Sequence, residues 1–385
     1  MSSISKPSTS SLPSRPPLIT SIAVNAFKGG VGKTTCVLNF AWHFARKNIK
    51  VLMVDADAQC NLTQLFLSSF DFEEFTKRSL EIFRLAQNDE HCASIGEALD
   101  ILIQGHELPE LQPIQFPTNE NVYLLPGSRK ITLYEEQLAT VENSGIPYGG
   151  NIPGGFFSLI QNSARAVGAQ LILIDTSPSI GCLNMVTIMS STYFMMPLQG
   201  DFFSLKAVEA LKDVVCNDWV RRMSDLRSYA KARKPLYSLP KSNAKFLGSI
   251  LQMFTVQRGN ASLAFRTCLD AISREIADNL IPALHECGMA FTLEEYQSAG
   301  LVHKGSIRVA AIQNFHRYAP MAQSQGLPLV ALAYDHTKIV RYGPDNKAVV
   351  PSGAAADRKT VKKMIEPIET GGNSILKIIG FTGGW

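Results

Sequence analysis

The chain has 385 residues, 45% of them apolar and 18% charged, with a formal net charge of +4. That length suits one large domain or two modest ones. The apolar content excludes wholesale disorder, and no apolar run is long enough for a transmembrane helix. The start of the chain carries no apolar signal-peptide core, so secretion is not expected. Seven cysteines (36, 60, 92, 182, 216, 268 and 287) are scattered and never spaced as CxxC, which predicts reduced thiols rather than disulfides or a zinc site. In chain order, residues 1–18 hold seven serines and four prolines and read as a flexible tail. Strands are predicted at 21–26, 51–54, 121–125, 171–174, 193–197 and 247–254, with a possible last strand at 327–333. Helices are expected at about 33–47 and 205–215, and a long acidic helical insertion at about 64–120. Beyond residue 335 lie a turn at Gly343-Pro344, a basic helix around 357–369 and an apolar 375–381 stretch that reads as a strand or docked tail. Alternating strands and helices predict an α/β, doubly wound, mostly parallel sheet. The expected units are the tail at 1–18, a nucleotide-binding domain at 19–334 and a C-terminal extension at 335–385.

Charge is uneven. Residues 66–150 carry 14 acidic and 5 basic side chains, whereas residues 221–245 carry 8 basic side chains against Asp225 alone. Such asymmetry predicts surfaces with different partners.

The strongest motif is Lys28-Gly29-Gly30-Val31-Gly32-Lys33-Thr34-Thr35, set between a predicted strand and a predicted helix. Glycines let successive backbone N–H groups face one anion, and the helix start adds its positive end. Gly29, Gly30, Val31, Gly32, Lys33, Thr34 and Thr35 are therefore the expected phosphate cradle for ATP. Lys33 should reach the β- and γ-phosphates, and the Thr34 hydroxyl should ligate Mg²⁺.

Phe27 stands where a P-loop ordinarily has its first glycine, and Lys28 is an additional lysine. In this the loop resembles that of the ParA/MinD family of deviant Walker A P-loop ATPases, closest to the ParA/Soj type. The segment Asp55-Ala56-Asp57-Ala58-Gln59-Cys60-Asn61 resembles that family's switch I. Leu171–Pro178 resembles a Walker B strand running into switch II, and residues 196–205 resemble the P-x-Q-P-E-Y-F-A-L run. The resemblance implies a P-loop NTPase fold and ATP hydrolysis. It gives Lys28 a catalytic role at a partner subunit's nucleotide, Asp57 the orientation of the attacking water, and Asp55 and Asp175 places near Mg²⁺. Residues 248–254 and 322–330 would be the last family strands, with Gln252 and Met253 as adenine contacts. The sequence departs from the family pattern at Ala58, Cys60 and Ser177.

Further implications are an ATP-dependent homodimer, non-specific DNA binding, a ParB-like partner, and a cytoplasmic, nucleoid-associated role in plasmid, chromosome or other cargo partition. The basic segment assigns the DNA contact to Arg221, Arg222, Arg233 and Lys234. The alternatives are a nucleotide-gated regulatory adaptor and a MinD-like membrane-cycling ATPase. Membrane anchoring through 375–381 is not expected, because that stretch is short and set among glycines. A bridging iron–sulfur cluster would require a second cysteine upstream to accompany Cys182, and only the distant Cys92 is available.

Overall fold

Nine strands form one sheet in the order β3-β4-β2-β5-β1-β6-β7-β9-β8. They are β1 (Thr20–Val24), β2 (Val51–Ala56), β3 (Ile114–Phe116), β4 (Asn119–Leu125), β5 (Leu171–Thr176), β6 (Tyr193–Leu198), β7 (Lys245–Phe254), β8 (Val302–His303) and β9 (Ser306–Gln313). The computed structural model describes residues 17–69, 94–144, 151–233, 235–254, 263–334, 341–342, 348–349 and 354–381. Every pairing from β4 through β9 is parallel, and the two edge strands, β3 and β8, run antiparallel to their neighbours. Parallel strands need helical crossovers on both faces, which is why β2 and β5 are buried throughout and apolar up to Asp55 and Asp175. The chain leaves β1 towards one edge, returns at β5, and crosses β1 to continue through β6 and β7. That reversal opens a crevice at the carboxyl ends of β1 and β5, the place where open α/β sheets take ligands.

Six predicted strands coincide with β1, β2, β4, β5, β6 and β7. Residues 327–333 do not form a strand: Leu329–Tyr334 is a buried helix. Residues 322–330 likewise form no strand: they span the end of the Tyr318–Gln323 helix, a turn, and the start of the Leu329–Tyr334 helix. A short run that is apolar on every side carries no periodicity to separate helix from strand. The strand after β7 is β9. Inside the expected helical insertion, Ile95–Ile103 is a helix capped by Ser94, but β3 adds an antiparallel hairpin to β4. Residues 70–93 of the insertion, the Gly343-Pro344 turn and most of the N-terminal tail lie outside the described residues.

The helix Phe202–Leu211 continues through a π-helical stretch, Lys212–Trp219, into Val220–Arg233. Trp219 is fully buried, and Phe27 meets it edge-on with 5.8 Å between ring centroids. The side chain that replaces the loop's first glycine therefore anchors the loop to this helix.

The C-terminal helix Ala354–Ile378 buries Val361, Ile365, Ile368, Ile375 and Leu376. Residues 375–378 thus end a packed helix and 379–381 turn back on it, a docked tail and not a strand. At Gly371 a Cβ would lie 2.5 Å from the Val309 carbonyl oxygen on β9. At Gly372 it would lie 2.3 Å from the His43 ring. Only glycine permits that approach. Among the described residues no helix is long and apolar enough to cross a membrane.

His43, buried under this helix, has its pKa pushed down to about 4, first by desolvation and then by Lys47. Its folded value lies below its unfolded one, so the stability it permits is present above about pH 6.5 and is lost as pH falls towards 4. The chain should lose about 3 kcal/mol through this group over that range. In urea melts at pH 7 and pH 4, His43→Gln should lose less than the parent by that amount; equal losses would exclude His43 as the source.

Candidate nucleotide site

Gly30 and Gly32 adopt φ of +73° and +80°, which turns the loop between β1 and the Lys33–Ala45 helix. A Cβ at Gly32 would sit 2.7 Å from Gln252 Oε1. Gln252 is buried below the loop, where its Nε2 donates to the Gly32 carbonyl at 3.0 Å and to Cys36 Sγ. Its amide thus braces the loop from beneath. The Met253 side chain lies outside the described residues. Val31 is buried, and the Thr35 carbonyl accepts from Asn39 Nδ2 at 2.8 Å.

Lys33 begins the helix and is buried; desolvation lowers its pKa, opposed by the charges of Asp175 and Asp57. Parallel pairing sets Asp175 opposite both Val24 and Asp55, so the strand-end carboxylates converge beside the loop. Thr34 Oγ1 donates to Asp175 Oδ2 at 2.6 Å, while Asp175 Oδ1 is buried without a hydrogen-bond partner among the described residues. Burial, and then the neighbouring Asp55, push the Asp175 carboxyl up to about 8. Burial also raises Asp55 to about 6, despite the hydrogen bonds it accepts from Thr63 N–H and Oγ1–H at 2.8 and 2.7 Å. A buried carboxylate with an unmet acceptor, a threonine hydroxyl and a desolvated lysine at a glycine-lined helix start suit a magnesium–phosphate group. Mg²⁺ of that kind draws most of its ligands from phosphates and water. Among the described residues no cluster of three or more His, Cys, Asp or Glu side chains able to hold a metal occurs.

Asp57 is buried at the start of the following loop, and its Oδ1 accepts from Gln59 N–H at 3.0 Å. Cys60 caps the Asn61–Leu67 helix in the left-handed region, at φ +54°. A side chain there costs about 1 kcal/mol relative to glycine. Cys60→Gly should therefore raise stability by about that much, read as a shift in the urea midpoint; a lower midpoint would show that the thiol's packing outweighs the strain. Thr63, overlooked in the sequence, joins three elements: it donates to Asp55, and its Oγ1 accepts from Gly127 N–H at 2.9 Å. Gly127 sits so close that a Cβ would be 2.9 Å from Asp55 Cγ.

Lys28 points to the turn after β6. It pairs with Asp201 and donates to Gln199 Oε1 at 3.1 Å. Nothing in the sequence joins either acceptor to Lys28, because both lie more than 170 positions away from it. Cys182 is half-buried and its Sγ accepts from Arg222 Nη2 at 3.2 Å.

The basic segment is less available than its charge suggests. Arg221 pairs with Asp218 and Asp225, and Arg222 pairs with Asp218. Arg227 donates to Asn243 Oδ1 and to the Pro240 and Ser242 carbonyls. The Arg233 side chain and Lys234 lie outside the described residues. A second basic surface, which no local run of the sequence marks, is a concavity of about 540 Å³ where Arg266, Arg274, Lys304 and Arg308 meet Asp270 and Asp278. The helix Leu263–Arg274, the π-helical stretch Glu275–Leu280, the β8–β9 turn and β9 bring these residues together.

The AAA domain family AAA_31 matches residues 19–222. The cell division protein PomZ of Myxococcus xanthus is 25% identical over 191 residues, which cover 49% of this chain and 49% of that protein. The chromosome-partitioning ATPase Soj of Thermus thermophilus is 27% identical over 190 residues, covering 49% of this chain and 59% of Soj. The chain thus spans about half to three-fifths of the length of these relatives. In fold it is similar to pNOB8 ParA, with a TM-score of 0.54 at 16% identity over 94% of this chain and 99% of that one. It is also similar to a point variant of Cyanothece McdA in complex with ATP, with a TM-score of 0.52 at 16% identity over 96% and 100%. The family match takes in the phosphate loop, the Asp55–Asp57 segment and the Asp175 strand together, and the chain belongs to this AAA-domain family as a ParA/MinD-type P-loop ATPase.

Proposed function

We propose that the chain hydrolyses ATP to ADP and phosphate, and that ATP closes a homodimer which binds DNA without sequence preference and drives partition of a plasmid, chromosome or other cargo. The observation that supports this most is the buried, half-satisfied Asp175 beside Thr34 and Lys33 at the end of a glycine loop. In this reading Gly29 to Thr35 hold the phosphates through backbone N–H groups, and Lys33 neutralises the β/γ charge. Thr34 and Asp175 would hold Mg²⁺, with Asp55 opposite Asp175 on the neighbouring strand. The metal neutralises charge on the phosphates. Asp57 orients the attacking water, and Lys28 of the partner subunit completes the site. The partition role rests on the relatives named for chromosome partitioning and cell division, and a ParB-like partner on the nucleoid belongs to the same reading through the family resemblance.

For DNA, the concavity at Arg266 and Lys304 is a second candidate surface beside the 221–234 segment, where Arg221 and Arg222 form ion pairs with Asp218. Phosphate release with Mg²⁺–ATP, with and without random duplex DNA, tests the reading; nucleotide binding without turnover under any condition would favour a gated adaptor. DNA affinity should require ATP and fall with salt at about −0.9 per phosphate neutralised on a log–log plot. Arg266→Ala/Lys304→Ala should flatten that slope by about two such contacts. An unchanged slope would return the DNA surface to the 221–234 segment.

A further inference from the structure

An ammonium group has three N–H donors, and in this chain the surroundings of the Lys28 ammonium are almost fully taken. One donor meets Asp201, one meets Gln199 Oε1 at 3.1 Å, and the Phe203 ring lies on another side, 5.7 Å from Nζ to its centroid. The acceptors are fixed independently of the lysine. Asp201 is the N-cap of the Phe202–Leu211 helix, and its Oδ1 accepts from Ser204 N–H at 2.8 Å. The Gln199 N–H donates to Ser204 Oγ at 3.0 Å, and Gln199 Nε2 donates to the Gly30 carbonyl at 3.2 Å. Gly200, between them, packs on the Phe265 ring so tightly that a Cβ would be 2.3 Å from it. The turn after β6 is therefore a preformed receptor for one cation, tied at one end to the phosphate loop and at the other to a helix start.

We propose that this turn is a latch: Asp201 and Gln199 hold Lys28 within its own subunit, and ATP-driven dimerisation requires the lysine to leave them for the partner's phosphates. The inference rests on the trans-acting Lys28 of the proposed function. Asp201 is then a positioning residue whose carboxylate sets how readily the dimer closes. Each side chain of the pair remains partly exposed, at 26% for Lys28 and 36% for Asp201. Solvent screens such a pair, so the latch is weak enough to open and strong enough to bias the equilibrium. Release of Lys28 also uncovers an acidic cap beside two exposed aromatic side chains, Phe202 and Phe203.

Asn caps a helix as well as Asp does, so Asp201→Asn removes the ion pair and keeps the helix start. With the full chain, Mg²⁺ and a non-hydrolysable ATP analogue, the variant should dimerise at a concentration about five-fold lower than the parent in sedimentation experiments. Independently, in the nucleotide-free monomer, Lys28 should be acylated about five-fold faster in the variant, as measured by mass spectrometry against the other lysines. Equal Lys28 labelling in both proteins would show that no latch exists. Faster labelling with unchanged or weaker dimerisation would show that Asp201 does not gate closure. If labelling rises but neither protein dimerises with nucleotide, the dimer itself is wrong and the gate falls with it. Matching melting temperatures would show that any loss of dimerisation is not a loss of fold.

Discussion

Lys33→Ala should weaken Mg²⁺–ATP binding by about two to four orders of magnitude. Lys33 is the buried cation at the loop, with Asp175 and Asp57 as its charged neighbours. Charge-assisted hydrogen bonds to phosphate contribute about 1.5–3 kcal/mol each, and Lys33 is expected to make two of them. The substitution also removes the charge that lowers Asp175, so the carboxyl is driven further towards its protonated form. Both effects act against a metal-bound triphosphate. Titration calorimetry reads the loss directly, with thermal melting to confirm that the variant is folded. Equal affinity in variant and parent would remove the glycine loop from nucleotide binding.

Asp57→Ala should act at a different step. Asp57 lies beyond β2, and its side chain accepts from the Gln59 N–H rather than from the phosphate loop. The phosphate cradle should therefore survive, and ATP affinity should change by less than about ten-fold. Turnover should fall by about 10²–10⁴, the usual contribution of a positioned general base or water-orienting group. With ATP but no turnover, the closed dimer should accumulate and persist on a sizing column. Undiminished phosphate release would move the water-orienting role to another side chain. A joint collapse of binding and turnover would make Asp57 part of the magnesium site.

The loop and its acids were readable because their chemistry is concentrated in short segments. A strand, a glycine turn and a Gly-Lys-Thr run can be recognised within about fifteen residues, and β2 and β5 each announce a carboxylate at the end of an apolar run. What was hidden depends on contacts between distant segments. Gln252 looks like a strand-end residue until β7 is placed beside β6 and beneath the loop. Thr63 is an ordinary helix residue until Gly127 arrives from β4. The misplaced last strand has a different cause. Residues 327–333 are more continuously apolar than β9, whose Arg308 and Gln313 interrupt its pattern. The buried helix consequently resembled a strand more than the strand did. The basic concavity was invisible for the same reason as Thr63, since its cations are up to 42 positions apart and no local run announces them.

The glycine pair at 371 and 372 limits how the chain can be divided. The Ala354–Ile378 helix closes over β9 and His43 at a distance that no larger residue permits. His43 belongs to the same helix that starts at Lys33. A fragment cut at residue 222 would keep every acid of the nucleotide site, yet it would leave Phe194 and Met196 of β6 without β7 and the Lys33–Ala45 helix without its cover. The residues beyond 222 are therefore structural components of the nucleotide-binding unit. Any excised version intended to retain the site would have to run through Phe381, where the chain closes back on Leu376.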